Sequence, residues 1–136
     1  MGTTCVLELL PETYSVYRYP PETPLPVERP QGEGLWAYVG TSEEVSVVSS
    51  QREATKISPE MRQVESGWRA LKVRGPLDFS LVGILASIAA PLAEAGISIF
   101  SISTFDTDYI LVKEKTLEKA QDVLEEAGHQ VLTGFH

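Results

Sequence analysis

The side chains able to do chemistry gather in two short turns of the C-terminal half. Glu94 stands in Glu94-Ala95-Gly96-Ile97, and Asp106 and Asp108 stand in Phe105-Asp106-Thr107-Asp108. A carboxylate at a helix C-terminus opposes the helix dipole, and a bound ammonium or guanidinium would offset that cost. A solvated surface Glu is as good a reading, so both stay open. Asp108 either shapes a hairpin turn or holds a cation, whereas Asp106 reads as a turn former. The two Asp residues have no further partner at calcium-loop spacing, so no metal site is expected. Gly75 and Gly96 set backbone geometry first, and free amides beside them could donate to a bound carboxylate. His129 follows Gly128, where a helix-capping role outweighs a catalytic one. No Ser, His and Asp grouping forms a known nucleophile motif, and Gly32-Glu33-Gly34 lacks the rest of a phosphate loop. No catalytic residue and no cofactor is expected, and the chain does not read as an enzyme.

Composition narrows the partners. The 136 residues carry a net charge of -8 and are 43% hydrophobic. That is one compact unit or two small ones sharing a core. Nucleic acid needs clustered Lys and Arg on the protein and is not expected as a partner. The acidic balance disfavours anionic membranes, and the Leu81–Ala93 apolar run, interrupted by Gly83, Ser87 and Pro91, is too short to span a bilayer. The single cysteine, Cys5, excludes an internal disulfide, fits a cytoplasmic setting and reads as a packed side chain.

These turns must be positioned by the elements around them. Cys5 to Leu10 and Thr13 to Tyr19 read as two strands separated at Pro11. Residues 20–34, rich in Pro and Gly, read as a long loop. Leu35 to Val39 and Val45 to Ser49 read as strands. Thr41 and Glu44 between them have capping-box spacing and suggest one helical turn. Gln51 to Glu65 reads as the connection between halves. Trp68 to Arg74 reads as a strand closed by Gly75-Pro76. A helix follows from near Phe79 or Ser80, with Asp78 or Ser80 as N-cap and Gly96 in the left-handed position after its end. This helix is apolar on two sides, which demands cover from a sheet and from a second helix or partner. Pro91 removes one of its backbone donors and predicts a kink. Ile97 to Thr104 and Tyr109 to Val112 form a hairpin around the polar turn. A second helix runs from an N-cap at Thr116 to Ala127, closed by Gly128, and Gln130 to Leu132 is a last strand. The order is β-α-β-β-α-β, an α+β ferredoxin-like split motif.

The stretch GPLDFSLVGILASIAAPLAEAGISIFSISTFDTDYILV resembles an ACT domain. It is similar in particular to the small bacterial two-unit proteins related to the animal cytosolic arginine sensors (CASTOR proteins) and to aspartate kinase regulatory domains. The AEAGISI turn and the ISTFDTDYILV hairpin carry the resemblance. It implies an ACT domain over residues 61–136 and a strand-rich, degenerate ACT-like unit over residues 1–60. It also implies a ligand at an interface between ACT units, with a homodimer supplying the second unit. By motif, the implied ligand contacts are Glu94, Gly96 and Ile97 in the helix-to-strand turn, and Thr104, Phe105 and Asp108 in the hairpin. The loop after the first ACT strand adds Asp78.

The expectation is a cytoplasmic, homodimeric regulatory protein that senses an amino acid or similar small metabolite. Backbone amides near Asp78 or Gly96 would hold a carboxylate, Glu94 or Asp108 a cationic group, and Phe105 would wall the pocket. The alternative is an interaction module whose apolar helix dimerises or docks a partner without a ligand.

Overall fold

A computed structural model describes residues 4–24, 34–51, 63–74 and 83–133. The chain divides into two compact units, one of Met1–Pro11 with Trp68–His136 and one of Glu12–Gly67. The elements are β1 (Val6–Tyr19), β2 (Ala37–Gly40), β3 (Val45–Ser50), β4 (Gln63–Val73), α1 (Ile84–Glu94), β5 (Ile99–Ser103), β6 (Asp108–Lys113), α2 (Leu117–Glu126) and β7 (Gln130–Leu132). The boundary between the units falls inside β1 and inside β4.

The larger unit carries the split order β4-α1-β5-β6-α2-β7, with strands arranged β7-β1-β4-β6-β5. The N-terminal strand is therefore an added central member. Val6 to Glu8 pair in parallel with Gln130 to Leu132. On the other side, Arg74 N–H donates to Val6 C=O at 2.8 Å, and the Arg69 guanidinium donates to Leu10 C=O at 3.1 Å. Both helices cover one face. Leu7, Leu71, Val73, Ile110 and Val112 of the strands meet Ile84, Ile88 and Leu92 of α1 and Ala120 and Leu124 of α2 in one buried cluster. Alternation along each strand dictates this, because β4, β6 and β5 present every second residue to the helices. The opposite set contains Trp68, Ala70, Leu111 and Phe100, in register through Trp68↔Lys113, Ala70↔Leu111 and Phe100↔Leu111.

The smaller unit is strand-built. β3 lies antiparallel between β1 and β2, and Tyr17, Tyr19, Val45 and Val47 form its core with Trp36 packed against them. Tyr14 is fully buried, and its hydroxyl accepts the Leu35 N–H at 3.1 Å.

Several sequence expectations are corrected. The two N-terminal strands are one strand, β1. Pro11 does not break it, because β7 pairs with Val6 to Glu8 and β3 with Tyr14 to Tyr19. Pro11 falls between those two registers, so neither of these ladders needs the N–H it lacks. Thr41 to Glu44 is a hairpin turn joining β2 and β3. The Thr41 hydroxyl does accept the N–H groups of Glu43 and Glu44, both at 3.1 Å, but no helix follows. β4 begins at Gln63, five residues before Trp68. The helix starts at Ile84 with Gly83 at its N-cap, and the Asp78 and Ser80 caps lie outside the described residues. Thr116 makes no capping bond, since a 3₁₀ turn precedes α2 and the Thr116 hydroxyl donates back to Lys113 C=O. Most of the 20–34 loop and of the 51–65 connection also lies outside the described residues.

Pro91 has a consequence that sequence alone could not supply. A residue with an amide at position 91 would donate to Ser87 C=O, four residues earlier. Pro91 cannot, and the His129 imidazole takes its place, with Nε2 3.0 Å from the Ser87 oxygen. Since that nitrogen faces a carbonyl, it carries the proton. Nδ1 is then an acceptor, and it receives the Cys5 N–H at 3.2 Å. One buried ring thus ties the end of α2 to the middle of α1 and the start of β1.

Two outcomes follow. A fragment of residues 61–136 lacks the central strand β1, so it should show no cooperative thermal transition, whereas the full chain should melt cooperatively in circular dichroism. His129→Leu should cost about 1–3 kcal/mol by leaving the part-buried Ser87 carbonyl and the Cys5 N–H without this partner. In a Pro91→Ala background, chemical denaturation should give a smaller loss, because the restored amide satisfies Ser87.

Candidate functional site

The helix-closing turn is built from its own backbone. Gly96 N–H donates to Ala93 C=O at 3.0 Å and Ile97 N–H to Leu92 C=O at 2.9 Å. With Gly96 at φ 76°, this is a Schellman closure, sealed by Ile97 and Leu92 in the same core cluster. Both amides are therefore spent, and neither is available to hold a carboxylate as the sequence suggested. Glu94 and Gly96 are exposed and Ile97 is buried. Gly128 closes α2 in the same way, with Gly128 N–H to Glu125 C=O and His129 N–H to Leu124 C=O, both at 3.0 Å.

The hairpin turn holds Thr104, Phe105 and Asp108. Thr104 N–H donates to Thr107 C=O at 2.8 Å, which closes the four-residue loop. The Thr107 hydroxyl is buried and donates to Val73 C=O at 2.6 Å, which pins the loop to the end of β4. Asp108 is half-buried and stands opposite Ser103, whose hydroxyl donates to Asp108 Oδ1 at 2.6 Å. By strand alternation both side chains lie on the helix-bearing face, with Ile110 and Val112. Phe105 at the tip is 80% exposed.

The predicted contacts separate into two groups. β5 runs from the helix-closing turn to the hairpin, so Glu94, Gly96 and Ile97 lie at one end of it and Thr104, Phe105 and Asp108 at the other. Its five residues alone span about 13 Å. A single protomer does not bring the two groups together. Asp78 lies outside the described residues.

Sequence reasoning missed the other occupant of the hairpin end, the N-terminus of α1. β4 ends there and α1 begins there, with Ile84 in the same cluster as Val73 and Ile110. Gly83 at the N-cap offers no capping side chain, and the first turn holds no acidic residue. The opening amides of a helix left in this state favour an anion. The signal was present in the sequence as Gly83, but it was masked by the apolar run on both sides of it.

Cys5 also lies at this end. Its Sγ is 3.5 Å from His129 Nδ1, a neighbour invisible in sequence. Burial, and then the negative charge of Asp108, push the thiol above its ordinary range. A nucleophilic cysteine needs the opposite shift. Among the described residues, no group of three His, Cys, Asp or Glu side chains could hold a metal ion, and no helix is long and apolar enough to cross a membrane.

Comparison with known proteins fits this geometry. The ACT domain family model matches residues 63–126. These residues belong to the ACT domain family. The ACT-containing chain is 31% identical, over 89% of its length, to the protein called cytosolic arginine sensor for mTORC1 subunit 1 of Homo sapiens and to its Pongo abelii counterpart. It spans 42% of the length of those relatives. Among solved structures it is similar to protein Atu0741 of Agrobacterium tumefaciens, at 33% identity and a TM-score of 0.84 over 99% of this chain and 97% of that one. The regulatory subunit of aspartate kinase from Thermus thermophilus shares the fold, with a TM-score of 0.66 at 14% identity over 94% of this chain and 99% of that one. The ACT family and the ferredoxin-like α+β class read from the sequence are thereby established, and the curated relatives bear the name of cytosolic arginine sensors.

The raised thiol makes a direct prediction. At about pH 8, Cys5 should alkylate with iodoacetamide well below the rate of a free thiol such as glutathione. An equal or faster rate would mean that Cys5 exists as a thiolate.

Proposed function

We propose that this chain is a non-enzymatic, cytoplasmic regulatory protein that binds a small amino acid at the hairpin end of its ACT unit. The observation that carries this reading is the pairing of opposite electrostatic features at one end of one face. The N-terminus of α1, where the N-cap Gly83 offers no capping side chain, suits an α-carboxylate. The half-buried Asp108 suits an ammonium or guanidinium, with Oδ1 oriented by the Ser103 hydroxyl. Thr104 and Phe105 border the same end, and Asp78 belongs to the segment joining β4 to α1. The ACT family, and relatives named as cytosolic arginine sensors, support both the amino-acid class and the location.

Glu94, Gly96 and Ile97 contribute in this reading through a second copy, because within one protomer they stand at the far end of β5. The role of the Gly96 and Ile97 amides is confined to shaping that turn, since both are hydrogen-bonded within it.

A second reading has its own observation. Ala86, Ala90 and Ala93 of α1 are exposed while Ile84, Ile88 and Leu92 are buried. This leaves a flat small-residue face that an interaction module would use without any ligand.

A thermal-shift screen of amino acids separates the two. A ligand at one hundred times its Kd should stabilise the fold by about 2.7 kcal/mol, a rise of roughly 9 degrees for a chain of this size. Asp108→Ala should abolish the shift while leaving the unliganded melt within a few degrees. Absence of a shift with every amino acid would favour the interaction module. A full shift in Asp108→Ala would remove the carboxylate from the site.

A further inference from the structure

Strand β2 is an open edge of the smaller unit. It stands at the end of the strand order, and among the described residues it pairs with β3 alone. Exposed edges are ordinarily blunted by charge, proline or a bulge. β2 reads Ala37-Tyr38-Val39-Gly40, with neither charge nor proline, and its register with β3 runs unbroken from Ala37↔Val48 to Gly40↔Val45. Its large side chains are also uncovered. Val39 is 56% exposed and Tyr38 38%, on opposite faces of the strand.

The hairpin turn decides which backbone groups face outward. Thr41 N–H donates to Glu44 C=O at 2.9 Å, so Thr41 and Glu44 form a hydrogen-bonded pair. In an antiparallel ladder such pairs alternate with pairs whose amides and carbonyls point away. Counting back along the register, Val39 bonds to Ser46 and Ala37 to Val48. The N–H and C=O of Gly40 and Tyr38 therefore point to the free edge, two donors and two acceptors in strand geometry. The Tyr38 ring folds back over Gly40, 3.4 Å from where a Cβ on Gly40 would stand. It lies along its own strand and not across the edge.

Charge selects what can add there. Among the described residues of this unit, Glu12, Glu22, Glu43, Glu44 and Glu65 outnumber one cation, Arg18. Glu43 and Glu44 lie in the turn that continues β2. Glu22 adjoins Thr23, whose C=O accepts the Tyr38 hydroxyl at 3.5 Å. Arg18 is on β1, two strands inward. Such an edge attracts a basic strand and repels an acidic one. A second copy of β2 would bring the same carboxylates with it.

We propose that β2 takes up an extended basic peptide of a partner protein by antiparallel strand addition, with Lys or Arg at the peptide's N-terminal end beside Glu43 and Glu44. The backbone groups of Tyr38 and Gly40 supply the affinity. Alternate peptide side chains meet Tyr38 on one face and Val39 on the other. The antiparallel direction is the more stable pairing, and it brings the peptide's N-terminal end to the Gly40 end of β2. The proposal does not depend on the amino-acid reading.

The probe is the acetylated, amidated peptide Lys-Lys-Thr-Val-Val-Thr, which sets its first Val against Val39 and its second against Tyr38. In amide exchange followed by NMR, Tyr38 and Gly40 of the free protein should exchange fast while Ala37 and Val39 are protected. Peptide at ten times its Kd should slow Tyr38 and Gly40 about tenfold. The same peptide with Glu-Glu in place of Lys-Lys should leave them unchanged. Val39→Lys adds a charge at an exposed position, and it should abolish the slowing without shifting the melt, whereas Val39→Thr should retain it. N-methylation of the second Val, whose amide meets β2, should abolish binding. N-methylation of the first Val, whose amide points away, should not.

No slowing with the Lys peptide, equal slowing with the Glu peptide, or equal loss from the two methylations overturns the proposal. Tyr38 and Gly40 amides already protected in the free protein overturn it as well. Protection that rises with protein concentration would then assign the edge to a second copy, and protection independent of concentration to another segment of this chain.

Discussion

A single orphaned carbonyl constrains much of the ACT unit. Pro91 deprives Ser87 of its helical partner, and a buried, unpaired carbonyl costs enough that something must be supplied. The chain supplies His129, delivered by the Gly128 closure of α2 and held in one tautomer by the Cys5 amide. That contact fixes where α2 ends against α1 and where β1 enters the sheet. The position of β1 in turn sets β4, and Thr107 anchors the hairpin to the end of β4. The hydrogen bonds run without a gap from a proline in α1 to the loop that carries Phe105 and Asp108.

The local features of this arrangement were legible in the residues. Gly96 and Gly128 announce helix ends, the polar four-residue turn announces a hairpin, and α2 shows its buried stripe through Ala120 and Leu124. What sequence could not carry was anything set by partners distant in the chain. Pro11 reads as a break because its tolerance depends on which strands flank β1, and those come from residues far downstream. Thr41 makes the bonds of a helix cap inside a hairpin, because the pairing of β2 with β3 overrides the local preference. His129 reads as a cap residue, and its imidazole is committed to a carbonyl 42 positions away.

The candidate site divides in the same way. The residue types were readable, and both turns exist where the sequence puts them. Their separation follows from strand direction, since a five-residue strand joins them and holds them apart. The Schellman bonds change the chemistry of the helix-closing turn as well. Its amides are internal, so the charged group it offers outward is the Glu94 carboxylate. In the proposed reading the amides that meet an anion are those at the other end of α1. A dipolar ligand would then match the polarity of the helix at its start, with Asp108 as counter-charge.

The central place of β1 also bears on how the chain acquires its structure. The strand pairs with Gln130 to Leu132, and the Cys5 amide meets a ring 124 residues later. Contacts this distant demand closure of a very long loop before they stabilise anything. During synthesis β1 emerges before both helices, and its parallel partner β7 only after them. The larger unit therefore cannot complete its sheet until both helices and β7 have been made. Its folding is expected to be slow beside that of a simple hairpin or helical pair, and an exposed β1 is the segment most in need of protection in the interval.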